Sequence, residues 1–269
     1  MKAQISVIGC GWLGLPLAKA LITDGFKIHG STTSVEKLKT LNQFEIEPFL
    51  LTLNENGISG DYAQFLSGSE TIIVNIPPGL RRDPDKNHVA ELKHLIHAIE
   101  ESTLKNVLYI SSTSVFQNEE NFKTITENTK PNAKSNSGQQ LIEIENMFIN
   151  NPNFNTTILR FGGLFDAQRH PSKMLSGREN VSNPEAPINL IHKTDCIAII
   201  HKIIEIKSWN NIINAAYPKH TNKEQYYKTY CKQHNLPLPN YNTSAKSKGK
   251  IIDSSKLVQL LDYTFKVEP

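Results

Sequence analysis

A short apolar run, Ile5, Val7 and Ile8, stops at Gly9, and glycines recur at 11 and 14 before Leu13, Leu17, Ala20 and Leu21 repeat at helical spacing. Strand, glycine turn and helix in that order constrain the fold more than any other stretch. The three glycines do different things. Gly9 permits the tight turn, Gly11 lets the backbone approach a pyrophosphate, and Gly14 lets the helix pack on the strand. Amides at the helix start, in the segment Trp12, Leu13 and Gly14, then face the phosphates, so the turn reads as a dinucleotide cradle. The plainer alternative is a tight turn with no ligand. Pro16 departs from the usual helix formers and is tolerated close to the helix start.

The pattern continues along the chain. Phe26, Ile28 and Gly30 predict a second strand and Val35 to Leu41 a helix; further strands are expected at Phe49 to Leu53, Thr71 to Asn75, Val107 to Ser111 and Thr156 to Phe161. A helical run of Val89, Leu92, Leu95, Ile96 and Ile99 lies between them. Such alternation predicts an α/β fold with a doubly wound parallel sheet, its ligand outside the carboxyl ends of the strands. Gly162 to Pro187 holds three of the 14 prolines and no period, and reads as an irregular substrate loop. A strand near Ile188 to His192, a helix opened by Asp195, a strand at Ile212 to Ala215, a helix near Lys223 to His234 and a last unit, GKIIDSSKLVQLL, follow. The expected division is a dinucleotide-binding core over 1–161 and a small α/β substrate lobe over 162–269, interleaved with it as one compact unit.

Charge and composition narrow the partners. Twenty-nine Lys and Arg against 26 Asp and Glu, with no dense basic block, argue against a nucleic-acid ligand and allow a small anionic one. Three cysteines without CxxC spacing read as free thiols of a reducing cytoplasm, and none of the nine histidines sits at a convincing metal spacing. The N-terminal run imitates a signal peptide, but its three glycines argue against one. No other stretch approaches the roughly 20 apolar residues needed to span a bilayer. The expectation is a cytoplasmic protein that uses neither membrane nor metal.

An NAD site usually ends its second strand in an acid that accepts both ribose hydroxyls. Here the position reads HGSTTSVEK. Ser31, Thr32 and Thr33 can bond a 2′-phosphate and Lys37 can supply charge from the next helix turn, which favours NADP over NAD. The same residues are ordinary helix-capping types. Asn75 and Pro77, in NIPPG after the fourth strand, are expected to line the cofactor ribose or to form a stiff connecting loop.

The segments VLYISSTSVF, ILRFGGLF, NLIHKTDCIAII and GKIIDSSKLVQLL, taken with the glycine turn, resemble the extended short-chain dehydrogenase/reductase superfamily, the NAD-dependent epimerase/dehydratases. The resemblance covers nearly the whole chain. It implies that Ser112 hydrogen-bonds the reacting hydroxyl or carbonyl, with Thr113 beside it at the substrate. It also implies a Tyr and, four residues later, a Lys for acid/base work, and the alignment seats Ser135 and Gln139 there instead. No Tyr occurs between Tyr109 and Tyr217. A serine hydroxyl is too weak an acid to be tuned as that Tyr is, and losing a positioned acid or base costs roughly 10²- to 10⁴-fold in rate. Lys134 adjoins the vacant seat, and His170, in the sequence RHP, titrates near neutrality and can protonate an alkoxide. Arg169 suits a sugar nucleotide's diphosphate, with Arg178 and Lys193 of the same kind. Two functions follow: an NADP-dependent oxidoreductase or epimerase-like enzyme on a polar carbonyl or hydroxyl compound such as a nucleotide sugar, or a non-catalytic NADP-binding sensor. The assembly implied is a monomer or a homodimer built on two long helices.

Overall fold

The computed structural model describes residues 2–269. The chain divides into two compact units that alternate along the sequence. The first comprises the stretch ending at Ser112 together with Ser135–Leu159 and Ile197–Ile212; the second comprises Thr113–Lys134, Arg160–Cys196 and Ile213–Pro269.

The first unit starts with β1 (Gln4–Ile8), α1 (Gly14–Thr23), β2 (Lys27–Thr32), α2 (Val35–Gln43) and β3 (Glu47–Leu50). It continues with β4 (Ser69–Val74), α3 (His88–Glu100), β5 (Asn106–Ser112), α4 (Asn136–Ile149) and most of β6 (Asn155–Phe161), and it takes in most of α5 (Lys193–Glu205); β7 (Ile212–Ala215) follows, all but its first residue in the second unit. The seven strands form one sheet in the order β7-β6-β5-β4-β1-β2-β3. Pairings from β3 to β5 are all parallel, with Ile5 opposite Ile28 and Thr71, and Ile72 opposite Val107. This is the doubly wound, Rossmann-type order, and strand order reverses between β1 and β4, which puts the binding crevice beyond their carboxyl ends.

The reason lies in the residues. Val7, Ile72, Ile73, Val74, Val107 and Leu108 are each fully buried, because central parallel strands are covered on both faces and read as unbroken apolar runs. Leu17, Ala18 and Leu21 give α1 its buried stripe, and Leu141, Ile144 and Phe148 do so for α4. The strand expected over Phe49 to Leu53 is two: β3 ends at Leu50, and Thr52–Asn54 turns back through a hairpin onto Gly57–Ser59.

In the second unit the stretch Gly162 to Pro187 is more regular than its composition predicts. Gly163–Phe165 pairs in parallel with Leu190–His192, and Pro171–Leu175 is a short helix. Helix Lys223–Gln233 packs through Tyr227 on Phe165, Ile188 and Leu190. Thr124–Ile125 pairs with Ile251–Ile252, ahead of a last helix at Ser255–Leu261. Among the described residues no helix is long and apolar enough to cross a membrane.

Candidate dinucleotide and substrate site

Gly9 carries φ +98°, a conformation L side chains rarely adopt, and a Cβ there would lie 2.5 Å from the Asn75 carbonyl oxygen. At Gly14 a Cβ would lie 2.1 Å from the Gly9 oxygen, so this glycine is the one that lets α1 touch the turn. Gly11 differs from both: a Cβ would meet nothing within 4 Å. Its missing side chain therefore serves no contact within the chain and leaves space above an exposed backbone. The adjoining start of α1 has no side-chain cap and no acid in its first turn, so the positive end of the helix faces that space undisguised. Cys10 in the turn is buried, which pushes its thiol up to about 12 and makes it a packing residue.

Neighbouring strands hold the turn in place. The Ser31 hydroxyl accepts from the Gly9 amide at 3.0 Å, and the Ser31 carbonyl accepts from Cys10 N at 2.8 Å. Asn75 donates through Nδ2 to the Gly9 carbonyl at 3.2 Å, and its own amide donates to Ile8. These bonds change the roles expected of Ser31 and Asn75. Ser31 is buried and committed to the turn, and Thr32, also buried, accepts from the Ser34 amide at 3.2 Å. Thr33 and Lys37 remain exposed beside the same strand end, with Glu36 between them. The Glu36 carboxylate accepts from the Ser34 hydroxyl at 2.5 Å, which holds its pKa below the usual value. Asn75 thus braces the glycine turn, while Pro77 is exposed in the loop that follows.

Ser112 closes β5, half-buried, and Thr113, buried, opens a single 3₁₀ turn in the second unit. Behind Ser112 lies an arrangement that the motifs do not announce. Ser111 donates to Glu145 Oε1 at 2.5 Å, and Glu145 is almost wholly buried on the apolar face of α4. Burial, with the Glu145 charge nearby, also drives the Tyr109 hydroxyl far above its usual range. One signal could have found it: a carboxylate four residues after Leu141 falls on the apolar stripe.

The two seats of the missing pair lie at the start of α4. Ser135 is its N-cap, accepting from Gly138 N at 3.2 Å, and Gln139 is exposed with its amide bonded to the Ser135 carbonyl. Both positions serve helix geometry. The neighbouring Gln140 does more: its Oε1 accepts from His88 N at 2.7 Å and its Nε2 donates to the Lys86 carbonyl at 3.0 Å, which ties α4 to α3. His88, fully buried, bonds Glu91 at 2.8 Å, and burial lowers its pKa.

In the second unit Asp166 accepts from the Arg169 amide at 2.7 Å and the Gln168 amide at 3.0 Å, and pairs with the Lys193 ammonium. Burial pushes its carboxyl up, but Lys193 and the two amides outweigh that and hold it at about 2. Arg169 is exposed at the tip of this loop. His170 is no surface histidine. It is 5% exposed, stacks on Tyr230 with ring centroids 3.7 Å apart, accepts at Nδ1 from Ser172 N and meets the Tyr226 hydroxyl at Nε2, 3.0 Å away. Burial, then the His234 and Lys173 charges, lower its pKa to about 4, so it is neutral at physiological pH with both nitrogens engaged. These contacts give it a structural post in place of the proton donor expected from the sequence.

No family model matches the chain. It is similar to protein YeeZ of Escherichia coli K12, 27% identical over 264 residues that cover 97% of this chain and 95% of that protein. Among solved structures, UDP-glucuronic acid 4-epimerase from Bacillus cereus, in complex with UDP-glucuronic acid and NAD, superposes with TM-score 0.78 at 16% identity, covering 98% of this chain and 95% of that one. MoeE5, in complex with UDP-glucose and NAD, gives 0.79 at 15% identity over 98% and 94% of the two chains. The fold is that of the NAD-dependent nucleotide-sugar epimerases. The resemblance drawn from the motifs therefore holds at the level of architecture, and the glycine turn stands where such a fold takes its dinucleotide. The residues present fit that group: an open cradle at Gly11, an uncapped helix start and a turn braced by Ser31 and Asn75.

Proposed function

We propose that the chain binds a nicotinamide dinucleotide on its glycine turn and works as an oxidoreductase or epimerase-like enzyme on a polar carbonyl or hydroxyl compound such as a nucleotide sugar. The observation that carries the proposal is the empty space at Gly11 between two positions, Gly9 and Gly14, where a Cβ would collide with backbone. The bound dinucleotide would supply hydride acceptance and return. Gly11 and the amides at the start of α1 hold the pyrophosphate, and Ser31 and Asn75 keep the turn in shape for it. Ser112 orients the reacting oxygen. The strand end without an acid favours NADP, with Thr33 and Lys37 as its 2′-phosphate contacts, and the Glu36 charge moderates that preference against NAD.

Proton transfer is the altered step. Ser135 caps a helix and His170 is neutral and engaged, so catalysis rests on orientation and proximity with solvent as the proton source. The same observation favours a second reading, a dinucleotide-binding sensor without turnover. Titration of the purified protein with NAD(H) and NADP(H), followed by nicotinamide absorbance with a panel of UDP-sugars and small carbonyl compounds, separates them. Binding with turnover that falls in Ser112→Ala supports the enzyme, and binding without turnover supports the sensor. Failure to bind either dinucleotide refutes both.

A further inference from the structure

The second unit contains a cavity of about 240 Å³ lined by Lys223, Lys248 and Lys250, with Asn118, Asn183 and Tyr227 among its other polar walls. No carboxylate lines it. Lys250 is 9% exposed, and its ammonium donates to the Phe116 main-chain carbonyl. The Lys223 ammonium donates to the Ser182 carbonyl at 2.8 Å. Neither meets an acid among the described residues, although the chain has 26 Asp and Glu to offer. Lys248, on the rim, is 3.7 Å from Glu120 and largely exposed. A buried ammonium held only by neutral carbonyls is costly, and a fold keeps such charges where something else compensates them.

The positions are built, not incidental. Gly249 separates Lys248 from Lys250, and a Cβ there would lie 2.9 Å from Pro187 Cδ and 3.0 Å from Ala186 Cβ, so the segment lies flat on the cavity wall. Glu119 and Gly249 exchange two main-chain hydrogen bonds, of 2.8 and 2.9 Å. Asn189 clamps the next residues, donating to the Lys250 carbonyl at 2.8 Å and accepting from Ile252 N at 2.8 Å. Backbone on both sides of Lys250 is thus fixed.

We propose that this cavity is a binding site for a small compound bearing a phosphate or carboxylate group, which Lys223 and Lys250 neutralise. Its volume suits a phosphorylated or carboxylated sugar-sized molecule and is below the roughly 300 to 1,000 Å³ typical of sites for larger ligands. Tyr227 and Asn183 supply polar atoms of the kind that would fix the rest of the ligand. The assignment goes beyond the dinucleotide reading and stands whether or not the glycine turn is occupied.

The test is calorimetric titration of the full-length protein with inorganic phosphate and, separately, with succinate, each against sodium chloride at matched ionic strength. Saturable binding of either anion is expected, weakened about tenfold or more in Lys223→Met and in Lys250→Met, since each removes a charge-assisted hydrogen bond. Lys246→Met, an exposed lysine 3.8 Å from Glu120, should bind as the parent does. Preference for phosphate or for succinate tells which group the site takes. Heats indistinguishable from chloride, or binding unchanged in both cavity variants, overturn the proposal. Should either variant fail to fold, soaking crystals of the parent protein with selenate decides: an anomalous peak in the cavity supports the site, and its absence overturns it.

Discussion

Replacing Gly11 and Gly14 separately by alanine distinguishes a dinucleotide cradle from a tight turn that merely needs glycine. At Gly14 the new carbon would lie 2.1 Å from the Gly9 oxygen, more than an ångström inside ordinary contact, and the obstacle is backbone that cannot swing aside. Overpacking costs typically 1 to 3 kcal/mol, and a backbone clash belongs at the upper end, about 3 kcal/mol. For a chain of this size that is a loss of about 6 to 10 °C in the unfolding midpoint. At Gly11 there is no clash, and its φ is not in the left-handed region, so alanine should leave the midpoint unchanged or raise it slightly. The same methyl stands in the space reserved for the pyrophosphate. Displacing that group from two charge-assisted bonds, each worth about 1.5 to 3 kcal/mol, should weaken dinucleotide binding on the order of a thousandfold. Thermal unfolding and fluorescence titration with NADH and NADPH read the two effects. A Gly11→Ala protein that binds both dinucleotides like the parent would refute the cradle, and one as unstable as Gly14→Ala would refute the geometry.

Lys250→Met should stabilise the protein by about 3 kcal/mol near neutral pH while weakening anion binding about tenfold or more, because burial lowers the lysine from 10.5 to about 8 and methionine carries no charge to desolvate. Between about pH 8 and 10.5 the unfolded chain holds a proton the native one has lost, so parent stability rises with pH and the gap to the variant should close; a gap constant across denaturant melts in that range counts against it. His170 works in the acid range: its native pKa of about 4 lies below the ordinary 6.5, so its contribution is complete above 6.5 and lost as pH falls toward 4. His170→Phe should flatten that acid slope by on the order of 2 kcal/mol, seen in urea midpoints measured at pH 7 and at about pH 4.5. Ser111→Ala should cost about 2 kcal/mol in urea melts by removing a donor to the buried Glu145 carboxylate, and a loss below about 0.5 kcal/mol would reduce that contact to ordinary packing.

The sheet is legible in the sequence because its strands are buried on both faces, and an unbroken apolar run needs no tertiary information to be recognised. Strand Ile212–Ala215 falls where its residues predict it, and α2 and α3 fall within two residues of their expected bounds. The glycine turn is legible for the same local reason. Gly162 to Pro187 is not, since a three-residue strand such as Gly163–Phe165 has no period to read and is fixed by its partner at Leu190–His192. Sequence reads His170 as able to protonate an alkoxide because its burial comes from Tyr226 and Tyr230, more than fifty positions away. Ser31 and Asn75 read as ligand-facing, yet their bonds run back to Gly9. Hydroxyls and amides bond whichever partner is nearer, and only three dimensions say which. The division expected at 161 follows the change of pattern after Phe161; the two units trade segments at Ser112, Lys134, Leu159, Cys196 and Ile212.

That alternation bears on how the protein is made. A ribosome delivers Thr113–Lys134 before the first unit has received Ser135–Leu159 or Ile197–Ile212. Neither unit is complete when its neighbour's earliest segment emerges, so the first cannot be finished until about four-fifths of the polypeptide has been synthesised. No single cut separates the two units. A nascent chain arrested between Ser112 and Lys193 would carry β1 and its glycine turn already synthesised, yet lack α5 and the end of the sheet that completes around it.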